Sequence, residues 1–263
     1  MRGRLALRSV ALGYLGLLLV APVGLVFYRT FEHGLGDAWR SVTSPDAQHA
    51  FWLTVELVLI AVPLNTVFGV IAALAVVRHR WRGRGVFNAL LDLPFAVSPV
   101  VVGLSLLLVY GRTGWLGDWL AQNGVRVIFS LPAMALATIF VSLPFVVRET
   151  IPVLREVGTE QEEAAEMLGA NSWQTFWRVT LPAIRWGVAY GVVLTTARAL
   201  GEFGAVSVVS GHLSGQTDTM TLQVQERFES FDLTGAYAAS VVLALLALLT
   251  LLSMNLLRRK EAK

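Results

Sequence analysis

Six stretches of this chain are long and apolar, and they leave it no soluble way to fold. They run at about 9–28, 51–77, 86–110, 127–147, 187–210 and 236–257. A helix that crosses a bilayer needs roughly 20 apolar residues, and each stretch supplies that many. Charged residues make up 15% of the chain, against about 25% in soluble domains. The spans and their loops account for all 263 residues, so the chain reads as one transmembrane domain, 1–263, with no separate soluble part. The expected fold class is an all-α membrane protein with six transmembrane helices. Pro22, Pro63, Pro94, Pro99, Pro132 and Pro144 lie in or beside spans, where neighbouring helices can satisfy the carbonyls they free.

Basic residues set the orientation. The first segment is preceded by Arg2, Arg4 and Arg8, residues 78–85 and 148–186 carry four Arg each, and four basic residues follow 257. The alternate loops, 29–50, 111–126 and 211–235, carry two, two and one. Lys and Arg stay on the cytoplasmic side of a membrane, so both termini and the stretch 159–182 are expected in the cytoplasm. The first segment has the basic start of a signal peptide, but its apolar run from Val10 to Phe27 is long and no A-x-A site follows. It reads as a retained first helix.

The composition excludes most chemistry. There is no cysteine, hence no disulfide and no thiolate site. His33, His49, His79 and His212 are scattered without metal spacing. The only lysines are Lys260 and Lys263, so no G-x-x-x-x-G-K-[ST] phosphate loop can form. No catalytic residue, metal site or cofactor is expected, and nothing points to nucleic acid.

The most polar stretch is TEQEEAAEMLGANSWQTFWRVTLP, Thr159 to Pro182. Thr159 and Glu162 have capping-box spacing, and Glu160, Glu162 and Glu163 put negative charge at the positive end of a helix dipole. Gly169 is placed to end that helix in a left-handed turn. Asn171 or Ser172 then caps a second helix with Trp173, Phe176 and Trp177 on one face. Two short helices joined by a glycine bend are expected.

Glu163-Ala164-Ala165, Gly169, Leu181 and Pro182 hold their spacing across this stretch, and the pattern resembles the EAA loop of bacterial ABC-importer permeases. Val179 stands where that pattern usually has Ile. The resemblance implies that these six residues couple the chain to an ATP-binding subunit, which docks on the loop and binds the ATP. An amphipathic helix on the membrane surface is the alternative, but such helices favour a basic polar face and this one is acidic.

A second informative stretch contains Arg198 and Glu202. Arg198 falls about 16 Å into its span at 1.5 Å per residue, near the bilayer midplane, with Glu202 one turn further on the same face. A charge at that depth faces protein, a partner charge or water. Two roles are open to the pair: lining a translocation path or gate, or a structural ion pair. Gly187 and Gly191 earlier in the span form a G-x-x-x-G pattern that allows close helix approach. Asp92, near the cytoplasmic end of the third span, is expected to reach water or cap a helix, and Arg148 to snorkel.

Asp92-Leu93-Pro94-Phe95-Ala96-Val97-Ser98-Pro99, Leu143-Pro144-Phe145-Val146-Val147-Arg148-Glu149 and Arg198-Ala199-Leu200-Gly201-Glu202-Phe203-Gly204-Ala205-Val206 extend the resemblance. The chain is similar to sulfate/thiosulfate ABC importer permeases, specifically to the second (W-type) of their two permease subunits, over roughly 50–235. Molybdate permeases share the ALGEFGA and DLP elements, so those two leave molybdate, tungstate or another oxyanion as the alternative substrate. The resemblance implies a type I ABC importer fold of the molybdate/methionine permease kind. It also implies a second, different permease subunit, an ATPase dimer, an extracytoplasmic sulfate-binding protein and a bacterial cytoplasmic membrane. The rivals from other classes are a membrane scaffold and an intramembrane enzyme, the latter with only Arg198 and Glu202 at depth to work with.

Overall fold

The computed structural model describes residues 2–32 and 34–261, with side chains for 7–32 and 34–254. His33 and the side chains of Arg2, Arg4, Lys260 and Lys263 lie outside the described residues. Every regular element among the described residues is helical. In chain order these are α1 (Leu7–Phe31), which contains a π-helical stretch at Gly16–Val20, α2 (Leu35–Val42) and α3 (Pro45–Arg78). Next come α4 (Arg84–Ala96), α5 (Pro99–Tyr110), α6 (Gly117–Gln122) and α7 (Leu131–Val157). The polar stretch forms α8 (Glu160–Met167) and α9 (Ser172–Thr175), which runs through a π-helical turn, Phe176–Thr180, into α10 (Leu181–Leu200). α11 (Val206–Val209), α12 (Met220–Glu229) and α13 (Leu233–Glu261) complete the chain.

The longest of these helices, α3, begins where its sequence says a helix should. Ser44 accepts the Ala47 N–H, Pro45 occupies the first turn with Asp46 beside it, and Arg78 sits in the last turn. Those are the residues that satisfy an N-terminus and oppose the dipole at a C-terminus. Its buried positions include Leu53, Leu57, Ala61, Asn65, Gly69 and Ala73, a stripe at four-residue spacing that packs chiefly on one neighbour.

That neighbour is α7, which lies at the centre of the bundle. More than half of its most apolar window is buried (56%), whereas none of the corresponding window of α1 is (0%). A Cβ on Gly69 of α3 would meet Val146 at 2.7 Å, and one on Gly191 of α10 would meet the Val146 backbone at 2.6 Å. Gly187 makes the same close approach to the Glu149 carbonyl and Val153. Glycine on both flanks therefore lets α3 and α10 press against α7 at backbone distance, as small residues do between membrane helices.

Two large apolar layers, with a smaller third around Ala50, Met220 and Ala239, fill the space between the described helices. One gathers Leu53, Leu57, Val102, Met134, Val206 and Leu222. The other gathers Val70, Val76, Leu91, Val146, Leu154 and Ile184. A polar contact also joins α3 to α7: fully buried Asn65 donates to the Ile139 carbonyl at 3.0 Å and to Ser142 Oγ at 2.9 Å.

Among the described residues four helices, α1, α3, α7 and α13, are long and apolar enough to cross a membrane, and α4 with α5 makes a fifth if the bent pair counts as one. The stretch expected as one span over 86–110 is broken: α4 and α5 meet at 109° across Val97 and Ser98. Ser98 precedes Pro99, which disfavours helical backbone before it, and Pro99 then opens α5 in a first-turn position. The stretch expected over 187–210 also ends early, because α10 stops at Leu200 and the chain turns before α11. These two breaks pack on each other. A Cβ on Gly204 would meet Pro99 at 2.9 Å, and one on Gly103 would meet the Ala205 carbonyl at 2.7 Å.

Candidate functional site

The polar stretch 159–182 folds into two short arms that stand out from the bundle. α8 ends at Leu168, and Gly169 follows with φ +88°. The Gly169 N–H bonds the Glu166 carbonyl at 2.9 Å, and the Ala170 N–H bonds the Ala165 carbonyl at 3.0 Å. This is the paired closure of a helix end by a left-handed residue, and glycine adopts it without steric cost. Asn171 then starts the second arm with a complete capping box: its Oδ1 accepts the Gln174 N–H at 2.9 Å, and Gln174 Oε1 accepts the Asn171 N–H at 3.1 Å.

The capping box expected at Thr159 does not form. Thr159 Oγ1 donates instead to Glu163 Oε1 at 2.7 Å. Glu162 is drawn away from the cap by Arg78, whose Nε lies 2.9 Å from Glu162 Oε2. A charged partner outcompetes a backbone N–H for a carboxylate, since ion-assisted hydrogen bonds are roughly twice as strong as neutral ones.

Of the six sequence-predicted loop residues, Glu163, Ala164, Gly169 and Pro182 are exposed, while Ala165 and Leu181 are half-buried. Ala164, Ala165 and Pro182 come together as walls of one open groove, whose other lining residues include Leu168, Arg178 and Arg185. Glu163 is exposed, with Thr159 as its partner. The far end of the loop is apolar and uncovered: Met167 is 84% exposed, Leu168 89% and Trp173 70%. Trp173, Trp177 and Phe176 stack edge to face in sequence, with centroids 5.5 and 5.3 Å apart. An apolar tip on a polar, rigidly capped loop is a surface that another protein can cover.

The second predicted pair, Arg198 and Glu202, is in contact, with Nη1 to Oε2 at 2.6 Å. It bridges the end of α10 and the turn beyond it, not one continuous helix as the sequence reading has it. Glu202 is almost completely buried (4% exposed), while the Arg198 side chain keeps 30% of its surface. Glu202 Oε1 also accepts the Ala205 N–H at 2.8 Å, and its carbonyl accepts the Thr221 hydroxyl at 2.8 Å. The carboxylate thus fastens the turn, and the guanidinium stays half-buried against it. Non-helical backbone at membrane depth is tolerated where it is buried in protein or lines a water-filled cavity.

Sequence reading missed two polar clusters, because each joins residues far apart in the chain. Arg148 donates through Nε to Asp92 Oδ1 at 2.6 Å, pairs again with Asp92 Oδ2 and donates to the Asn88 side chain and carbonyl. It therefore ties α7 to α4 and does not snorkel, and Asp92 is its counter-ion and not a helix cap. The other cluster is centred on Arg78. Its partners Leu154, Gly158 and Glu162 lie 76, 80 and 84 residues away, a separation no local pattern reports. Asp218 is buried in the segment between α11 and α12. Burial, and next a hydrogen bond with Glu226, push its carboxyl up to about 7.

Residues 65–263 match the family model of the binding-protein-dependent transport system inner membrane component. The sulfate transport system permease protein CysW of Synechocystis sp. is 52% identical over 252 residues, 96% of this chain and 91% of that protein. CysW of Escherichia coli is 48% identical over 92% of this chain and 83% of its own length. The sulfate transport system permease protein CysT of Escherichia coli is 36% identical over 96% and 91%. Among solved structures, a bacterial ABC transporter involved in the import of the acidic polysaccharide alginate superimposes with a TM-score of 0.81. It is 20% identical and covers 98% of this chain and 95% of its own.

Proposed function

The chain belongs to the family of binding-protein-dependent transport system inner membrane components, and from that premise we propose that it is a permease subunit of an ATP-driven sulfate importer. It is a multi-pass membrane protein and a transport component, not an enzyme. The energy comes from a separate ATPase dimer that docks on the loop 159–182, with Glu163, Ala164, Ala165, Gly169, Leu181 and Pro182 at or beside the contact. A second, different permease subunit completes the pathway. An extracytoplasmic sulfate-binding protein delivers the anion from the side of the 211–235 segment, and both termini lie in the cytoplasm of the bacterial cell.

The observation that carries the docking reading is the loop itself, a capped two-arm lever hinged at Gly169 with an uncovered apolar tip. ATP binding closes the ATPase dimer, the lever moves with it, and the spans rock between inward- and outward-open states. Substrate identity rests on the near full-length similarity to proteins named as sulfate permeases. Arg198, the less buried member of its pair, lines the path or gate of the anion.

Uptake of radiolabelled sulfate by cells lacking this chain should collapse while molybdate uptake persists; the reverse pattern makes the oxyanion molybdate. In the reconstituted complex, Glu163→Arg should abolish sulfate-stimulated ATP hydrolysis with the chain still inserted, and Arg198→Ala should lower transport more than assembly. Unchanged stimulation in the Glu163 variant removes the docking reading. An Arg198 variant that fails to assemble, yet transports normally in whatever complex remains, makes that pair structural.

A further inference from the structure

Arg78 is the last residue of α3, and its side chain is 12% exposed. Its Nη1 donates to the Leu154 carbonyl at 3.1 Å and its Nη2 to the Gly158 carbonyl at 2.6 Å. Both carbonyls belong to the end of α7, where the last turn has no intrahelical donors and the dipole is negative. The same guanidinium reaches both oxygens of Glu162, Nε to Oε2 at 2.9 Å and Nη2 to Oε1 at 3.3 Å. Glu162 lies in the first turn of α8, and its Oε1 also accepts the Thr180 hydroxyl at 2.8 Å. Thr180 closes the second arm and leads directly into α10. One half-buried cation therefore joins the ends of three long helices to both roots of the projecting loop.

We propose that Arg78, through Glu162 and Thr180, is a positioning residue that transmits displacement of the 159–182 loop to α3, α7 and α10 together. The inference rests on the reading of that loop as the ATPase dock. Without the clasp the loop has two places to yield. Gly158 follows α7 with φ +68°, and a five-residue π-helical turn separates α9 from α10. With both roots fastened to Arg78, a push on the tip cannot be absorbed at either place and moves the helices. Glu162 and Arg78 are each worth more in this half-buried setting than on an open surface, because the low dielectric strengthens the pair. Of the three neighbouring acids in α8, Glu162 alone is turned inward, with Glu160 and Glu163 exposed. The loop thus divides its charges between holding the lever and displaying it.

The test uses the complete importer in proteoliposomes, with its ATPase, partner permease, binding protein and labelled sulfate. Arg78→Lys keeps the charge and loses the planar fork; Glu162→Gln keeps the shape and loses the charge; Thr180→Val removes the hydroxyl alone. The quantity read is sulfate moved per ATP hydrolysed by assembled complex, which a purely structural role leaves unchanged. The expected result is a drop of about fivefold or more for Arg78→Lys and Glu162→Gln, in the range of ordinary coupling between sites, and a smaller one for Thr180→Val. ATP hydrolysis should continue, uncoupled from transport. A ratio equal to wild type in Arg78→Lys and Glu162→Gln overturns the proposal, and so does failure of all three variants to assemble, which assigns the clasp to stability. A wild-type complex that moves no sulfate defeats the function reading instead, and the two failures are distinguishable because the wild type is measured first.

Discussion

At the scale of single residues, the environment of a carboxylate decides its role, and four acids here have four different ones. Glu162 is captured by a cation, Glu163 is exposed with a hydroxyl partner, Glu202 fastens a turn, and Asp218 is buried beside Glu226. Spacing along one helix was legible in the sequence, as in the Arg198–Glu202 contact at four residues, whereas the capture of Glu162, which undoes the capping box expected with Thr159, depends on Arg78 in another helix. Asp218 yields a pH prediction. Burial first, then the hydrogen bond and charge of Glu226, push its carboxyl from the ordinary 3.8 up to about 7, with His212 opposing and Asp46 adding to the rise. Between those values the folded form holds a proton that the unfolded form has lost, so stability falls as pH rises through that window. The contribution is fully present below about pH 4 and gone above about pH 7. Amide-exchange protection of residues 212–224 should be greater at pH 5 than at pH 8, and Asp218→Asn should remove the difference. Equal protection at both values in the wild type would show that the acid is already paired by a cation.

Helices are the next scale, and here the sequence was informative about contact faces and silent about bends. The Gly187/Gly191 pattern marks the close face of α10, and both glycines lie against α7. Gly69 serves the same purpose on α3 with no second glycine at helical spacing to announce it. The break between α4 and α5 was invisible for a different reason. Apolar residues continue through Phe95, Ala96, Val97 and beyond Pro99, so hydropathy reports one long span while the backbone turns through 109°. α10 and the turn after it fail as a single span because Glu202 takes the Ala205 N–H and carries the chain out of helical geometry. A larger residue at Gly191 tests the packing. Its Cβ would sit 2.6 Å from the Val146 Cα, a backbone atom that cannot rotate away. Gly191→Leu should therefore separate α10 from α7 at a cost of about 1–3 kcal/mol or more. The thermal midpoint of the purified complex should fall, and a Gly36→Ala control, with only the far end of Arg40 nearby, should leave it unchanged.

For the whole molecule, the functional reading requires that the lever and the Asp218 segment lie on opposite sides of the membrane. The distribution of Arg and Lys supports that arrangement, since the loops flanking the lever carry most of the positive charge and such loops are retained inside. The helices agree in their order: α7 leads into α8, and α10 carries the chain away from the lever toward α11 and the segment before α12. The absence of cysteine makes the arrangement directly measurable, because any thiol introduced is the only one in the chain. Leu168 and Phe231 are suitable positions, being 89% and 87% exposed and at opposite ends of this path. In intact spheroplasts a membrane-impermeant maleimide should label Phe231→Cys and leave Leu168→Cys unmodified; after permeabilisation both should react. Labelling of Leu168→Cys from outside would place the lever away from any cytoplasmic ATPase and remove the basis for coupling. Labelling of both from outside would put them on one face, and the sidedness read from the basic loops would then be wrong. A bundle with no phosphate-binding loop of its own can be driven only through a surface that its motor can reach, so the side of the membrane on which Leu168 lies decides whether the fold transports anything.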